Sequence, residues 1–415
     1  MIRVFRDSDG ATAASLRAAV PPAPSAAVSA IIEDVRKRGD AVLRELARKY
    51  DGAELTGLFL DDARWDALAA KCPAEVRAAL QLACERVTAF HRPQLPPSFD
   101  QRLPDGGVLR CITVPLRRAA CYVPGGRAAY PSTVIMTVAP ARLAGVADVI
   151  VATPPRRDGS VLPEVAAAAR IAGATRILLS GGAQAVAALA LGTQTVPQVD
   201  VIVGPGNAYV TEAKKQLSGV VRIDSLAGPT EVVIVADDSA DPRAVAADLI
   251  AQAEHDPLAL AILVTISEKL ADAVRTALHP EGVAKEALEA RGAIILTKTL
   301  PQALALADEL APEHLELMLR DAAAAVPHVP RAAAVFVGHH APVPVGDYLA
   351  GPNHTLPTSG TARFASPLSS TDFVRRQNVI EYPPEQLAAD ARAIEALAHA
   401  EGLHGHARAV EARRK

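Results

Sequence analysis

Residues 148–217 read DVIVATPPRRDGSVLPEVAAAARIAGATRILLSGGAQAVAALALGTQTVPQVDVIVGPGNAYVTEAKKQL, and this stretch decides the fold class. Short apolar runs (DVIVATPP, RILLS, DVIVGPGN) alternate with Ala-rich segments of helical length (LPEVAAAARIAGA, GAQAVAALALG, AYVTEAKKQL). Apolar runs of strand length separated by helices mark βαβ units and a parallel sheet. The alternation resumes with EVVIVAD, a helix to Glu254, LAILVTIS, a helix from Glu268, GAIILTK and LPQALALADELA. That makes two α/β blocks, joined near SLAGPTE, Ser225–Glu231.

The flanks read differently. AAVSAIIEDVRKRGDAVLRELARKY has apolar residues at helical spacing, with Ser25 as its expected cap, and PAEVRAALQLACERVTAFH is a second long helix. The Pro-rich RPQLPPSFD, Arg92–Asp100, marks a boundary. HHAPVPVGDYLAGPNHTLPTSG is a long Gly/Pro loop, a kind that is usually functional. From Pro383 the tail is helical and too short to bury a face by itself, so it must dock on something. The expected fold is therefore α/β. It has two Rossmann-like parallel-sheet domains (99–225 and 226–370), a helical N-terminal region (1–98) and a helical C-terminal tail (371–415).

Composition narrows the function class. The chain has 415 residues, 50% hydrophobic and only 3% aromatic, with Trp65 the single Trp. That argues against base-stacking platforms and aromatic sugar clefts. Formal net charge is −3 with no basic block, so no nucleic-acid footprint is expected. Cys72, Cys84, Cys111 and Cys121 form no CxxC pair, which fits a reducing cytoplasm. MIRVFRDSDG lacks the apolar run of a signal peptide, and no apolar segment approaches the ~20 residues of a membrane span.

Several motifs could carry chemistry. Three strand ends run through glycines into a helix: YVPGG (Tyr122–Gly126), LSGGAQA (Leu179–Ala185) and VGPGNAYV (Val203–Val210). Each alone reads as an ordinary tight βα turn, and none is GxGxxG. Three in one block also suit a nucleotide-like ligand at strand carboxyl ends, with Tyr122, Gln184 and Asn207 placed to read ribose or base. DLIAQAEHDP, Asp248–Pro257, ends a helix with Gln252 and His255 on one face. It reads either as a metal grip or as a polar last turn. LAPEHLELM sets Glu313 beside His314, as two proton handlers or as a solvated acid and a capping imidazole. VGDYLAGPNH holds Asp347 and His354, and EGLHGHARAV holds Glu401, His404 and His406. One Asp, two imidazoles and one further neutral ligand would make a four-ligand zinc set.

Together, YVPGG, SGGAQAVAALALGT, VDVIVGPGNAYVTEAKKQL, AGPTEVVIVAD, QAEHDP, APEHLEL, GDYLAGPNHTLPTSGTARF and EGLHGHARAV resemble the histidinol dehydrogenase family. The resemblance is collinear from about Tyr122 to the C-terminus. It implies oxidation of L-histidinol to L-histidine through histidinal with two NAD, in a homodimer whose tails complete each other's sites. It implies zinc on Gln252, His255, Asp347 and His406, with His406 from the partner, and Glu313 and His314 as the acid–base pair. His314 would take the alcohol proton, and Glu313 would activate the water that hydrates the aldehyde. Tyr122, Gln184 and Asn207 match NAD contacts. Thr230, His354 and Glu401 match substrate contacts, along with Glu313, His314 and the metal ligands. Three features depart from the family pattern: Thr230 replaces a Ser, His404 adds an imidazole near His406, and HHAPVPVGDY lacks an acidic residue before GDY. The alternatives are a paralogue acting on another amino alcohol or hydroxy compound, a non-enzymatic metal-binding protein on the same fold, and aldehyde oxidation through Cys121.

Overall fold

The computed structural model describes residues 2–6, 13–17, 23–125 and 130–414. Its first sheet has five parallel strands in the order Arg176–Leu179, Asp148–Thr153, Arg118–Tyr122, Val201–Val203, Arg222–Ile223. The chain reverses its direction of winding between Arg118–Tyr122 and Val201–Val203, which is where such sheets open a crevice. Period-two alternation divides the sheet's side chains. Ala119, Cys121, Val149 and Val151 enter one apolar layer; Ala120, Tyr122, Ile150 and Ala152 enter the other. Helices Pro131–Leu143, Pro163–Ala172 and Ala74–His91 cover the first face, and Gly182–Leu191, Ala208–Leu217 and Ser25–Arg38 the second. Burial of a side chain such as Ile150 or Val151 contributes about 1.5–3 kcal/mol.

The N-terminal helices thus complete the first block. The helix expected over AAVSAIIEDVRKRGDAVLRELARKY is broken at Gly39, which takes φ 57°. A Cβ there would strike the Gln194 side chain, and Gln194 Oε1 accepts the Asp40 N–H at 2.8 Å. Two helices result, Ser25–Arg38 and Asp40–Leu46. Ser25 does not cap the first. Pro24 occupies that place, and the Ser25 hydroxyl donates to Glu212 at 2.6 Å. The opening residues, expected within a helical region, form a strand instead: Arg3–Arg6 runs parallel to Ala293–Leu296.

The second sheet has six parallel strands in the order Arg3–Arg6, Ala293–Leu296, Leu260–Thr265, Glu231–Ala236, His314–Met318, Ala334–Val337. Its winding reverses between Glu231–Ala236 and His314–Met318. A third sheet is antiparallel: Val374–Glu381 pairs with Val108–Pro115, which pairs with Phe99–Arg102. The start of the expected helical tail is therefore a polar strand. The helical part is a hairpin, Pro384–Ala400 and His404–Glu411, turned at Gly402 with φ 72°. Among the described residues, no helix is long and apolar enough to cross a membrane.

Candidate active site

The residues singled out in the second block gather at the amino edge of its sheet, beside the reversal of winding. Helix Leu300–Leu310 ends at Ala311 in the left-handed region (φ 41°), and Pro312 follows. The chain then delivers Glu313 and His314 to the first position of strand His314–Met318. Thr230 immediately precedes strand Glu231–Ala236 next door. Gln252 lies in the last turn of helix Pro242–Ala253, which is capped at Glu254; His255, expected on the same helix face, instead lies exposed in the bend beyond the helix, before Pro257. Asp347 sits on the short helix Val343–Tyr348, and His354 in the loop after it.

A hydrogen-bonded chain joins three of these segments. Glu313 Oε2 accepts the Thr230 hydroxyl at 2.6 Å and the Glu231 N–H at 2.8 Å. Thr230 Oγ1 in turn accepts the Gln252 amide N–H. The His314 Nδ1 lies 3.0 Å from the Glu231 carbonyl oxygen. Its Nε2 faces Asp347 Oδ1 at 3.9 Å, and the same oxygen is 3.9 Å from His354 Nδ1. Burial pushes the Glu313 carboxyl above its usual range, although His314, Thr230 and the Glu231 N–H all pull it down. Burial likewise holds His354 below the usual imidazole value, against the pull of Asp347. A cavity of about 690 Å³ opens here, lined by His314, Asp347, His354, Phe336, Asn353 and Phe90.

Thr133, at the start of helix Pro131–Leu143, reaches His354 Nε2 at 3.4 Å, so the first block borders this site. Glu231 ties down two more segments. It accepts the Ser359 N–H at 3.0 Å and pairs with Arg17 at 2.8 Å. Neither Thr133 nor Glu231 was legible as a site neighbour, since a Thr in an apolar helix and a Glu opening a strand carry no motif.

The nucleotide-like turns lie at the carboxyl edge of the first sheet. Tyr122 is buried, and its hydroxyl accepts the Gly182 N–H at 3.0 Å. Gln184 is buried one half-turn on, in helix Gly182–Leu191. Asn207 caps helix Ala208–Leu217 through Oδ1, which leaves its exposed amide nitrogen for another partner. Gly204 has a structural reason of its own: φ is 110°, and the Tyr122 backbone lies where a Cβ would be. The buried pair Lys214–Asp224 fastens this turn. Lys214 Nζ donates to the Gly204 carbonyl, and Asp224 accepts the Gly204 N–H. In AKKQL that lysine reads as solvated. Gly126 of YVPGG lies outside the described residues.

Two expectations stand apart from the cluster. Glu401, His404 and His406 are exposed on the C-terminal hairpin, where His404 lies 3.1 Å from His399. Among the described residues, no three His, Cys, Asp or Glu side chains come together to hold a metal. Cys121 is fully buried under helix Pro131–Leu143, and burial pushes its thiol up to about 12. Burial of this kind disfavours the thiolate, the form a nucleophile needs.

The family model described as histidinol dehydrogenase matches residues 19–414. A histidinol dehydrogenase of Synechococcus sp. is 50% identical over 399 residues, 94% of this chain and 92% of that protein. One of Syntrophotalea carbinolica is 45% identical over 424 residues, 99% of this chain and 98% of that protein. The crystal structure of histidinol dehydrogenase from Elizabethkingia anophelis superposes with TM-score 0.92 at 31% identity, covering 99% of this chain and 98% of that one.

Proposed function

The chain belongs to the histidinol dehydrogenase family and acts as an oxidoreductase of histidine biosynthesis, and from that premise we propose that it oxidises L-histidinol through L-histidinal to L-histidine with two NAD and one zinc per subunit. The observation that carries this reading is the orientation of His314. A backbone carbonyl only accepts, so Nδ1 must hold the proton shared with Glu231, and Nε2 is left as the base. That nitrogen removes the alcohol proton of the substrate. Glu313, held by Thr230 and the Glu231 N–H through one oxygen, keeps the other for water. Its raised basicity suits it to draw a proton from the water that adds to the aldehyde.

The residues present fit both absent groups. Gln252 spends its amide N–H on Thr230, which directs its oxygen elsewhere as a ligand. The Asp347 carboxylate lies 3.9 Å from both the His314 and His354 rings, beyond hydrogen-bonding distance, so it is open to another partner. With His255 these make an oxygen-and-nitrogen donor set suited to zinc, and His406 is the fourth ligand, from a second copy of the chain. Tyr122, Gln184 and Asn207 would hold NAD. Bound NAD would supply the hydride acceptor and bound zinc a grip on the substrate's nitrogens or oxygen. Thr230, His354 and Glu401 contact substrate, together with the pair Glu313 and His314 and the metal ligands. The exposure of Glu401 and His406 supports a homodimer with shared sites, and four free cysteines support a cytoplasmic location.

The test is stoichiometric. Purified protein with zinc should reduce about two NAD per L-histidinol and yield histidine. One NAD per histidinol, or turnover of another amino alcohol in its place, would overturn the substrate assignment.

A further inference from the structure

Glu316 follows His314 by two residues on strand His314–Met318 and shares its face. That face enters the apolar layer of Leu249, Ala253 and Val343. Glu316 is 1% exposed, and its neighbours across the sheet are Ile234 and Phe336. Its Oε1 accepts the Val343 N–H at 2.9 Å. Its Oε2 is buried and meets no donor among the described residues. The group within hydrogen-bonding reach is the carboxyl of Asp248, on helix Pro242–Ala253. Two carboxylates are both acceptors, so this contact is attractive only with a proton between them.

Three elements meet at this pair. The strand carries His314, directly after Glu313. The helix carries Gln252, one turn beyond Asp248, and His255 follows it. Helix Val343–Tyr348 starts at the N–H that Glu316 holds and carries Asp347. We propose that Asp248 and Glu316 share one proton and together act as a positioning device, holding Gln252, His255 and Asp347 in register with Glu313 and His314. The inference rests on the site assignment proposed above.

Electrostatics agrees with the geometry. Burial first, and then the Asp248 carboxyl, push Glu316 up to about 8, and burial pushes Asp248 up to about 6. The pair titrates as a unit and retains a proton at neutral pH. From helix Val343–Tyr348 the group facing Glu316 is a neutral N–H, and from the neighbouring strands it is Ile234 and Phe336. Asp248 is the charged group acting on it. Both values lie above those of the unfolded chain. The native state therefore binds the extra proton, and stability from the pair is present at low pH and lost as pH rises through about 8.

The experiment uses the full chain as wild type, Glu316→Gln, Glu316→Leu and Asp248→Asn. An amide replaces the shared proton with a permanent N–H donor. Between pH 6 and 9 the wild-type Tm should fall about 2–4 °C further than that of Glu316→Gln or Asp248→Asn. At pH 7, Glu316→Gln should keep kcat for histidinol within about threefold, whereas folded Glu316→Leu should lose ten- to a hundredfold, the order expected for a site displaced by about 1 Å. Wild-type kcat in folded Glu316→Leu would overturn the proposal. So would equal pH dependence of Tm in wild type and both amide variants, a result that decides even if Glu316→Leu does not fold. Glu313→Gln is measured alongside: full activity there overturns the site assignment, a different outcome from an indifferent Glu316→Leu.

Discussion

His314 donates its Nδ1–H to the backbone carbonyl of Glu231, 3.0 Å away on the adjacent parallel strand. The bond ties a side chain to the sheet itself, so the ring cannot turn without breaking a strand-to-strand link. It sets which nitrogen is basic and where that nitrogen points. Glu313, one residue earlier, is anchored to the same strand through the Glu231 N–H. The two proposed proton handlers are therefore fixed by one backbone segment, which is the rigidity that acid–base chemistry needs.

The proposed division of labour would separate the two oxidations. Glu313→Gln should impair histidinal oxidation more than histidinol oxidation, and His314→Asn should impair the alcohol step as well. Losses of about 10²–10⁴-fold are expected at the affected step. Single-turnover measurements with each substrate distinguish them. Equal, mild effects at both steps would remove the pair from the mechanism.

Thr230 is the hinge of the hydrogen-bonded chain, accepting from Gln252 and donating to Glu313. Thr230→Ser keeps the hydroxyl and should stay within about threefold of wild type, because only packing of one methyl changes. Thr230→Val keeps the shape, removes the acceptor of the Gln252 amide and leaves Glu313 only the Glu231 N–H, at about 1–3 kcal/mol for each lost buried bond. Its kcat/KM for histidinol should fall at least about tenfold. Comparable kinetics in the two variants would show that the chain of bonds is dispensable.

His91 gives a prediction in acid. It is wholly buried, with Nδ1 2.8 Å from the Val87 carbonyl, and burial lowers its pKa from the usual imidazole value. The unfolded chain then takes up a proton that the native state refuses, so stability falls as pH drops below about 6.5 toward the depressed native value. Tm measured from pH 7.5 to 5 should fall less steeply in His91→Gln than in wild type. A slope unchanged by the substitution would contradict a neutral, buried His91.

The buried thiol is expected to be silent. Cys121→Ser should retain most activity, and iodoacetamide should leave Cys121 unmodified in the native protein, as read by mass spectrometry of its peptide. An inactive but folded Cys121→Ser would restore the thiol route to histidinal oxidation.

How far the sequence was legible follows from what each segment buries. Asp148–Thr153 and Leu260–Thr265 read directly as strands, since every residue after Asp148 is apolar or buried and both faces are covered. Arg3–Arg6 and Val374–Glu381 did not. Both carry charges along an exposed strand, and their partners, Ala293–Leu296 and Val108–Pro115, lie hundreds of residues away. Gly39 hid a break because the obstacle to a continuous helix is Gln194, remote in the chain. At the site, Glu313 and His314 were visible as a pair, but their partner, the Glu231 backbone, has no sequence signature. Glu316 and Lys214 illustrate the same limit. A charged residue between apolar ones reads as a solvated face until tertiary structure shows what encloses it.

In the proposed site, one chain carries Gln252, His255 and Asp347 while a second supplies His406 and Glu401, both of which are exposed on the C-terminal hairpin. The direct measurement is complementation. His255→Ala and His406→Ala should each be inactive alone. Unfolded together and refolded, they form mixed dimers in which one site carries both lesions and the other carries neither. Histidinol oxidation should return to about a quarter of wild type if subunits pair at random in two-fold dimers. Mixed dimers that demonstrably form and stay inactive would contradict the shared site and return the tail to its own chain.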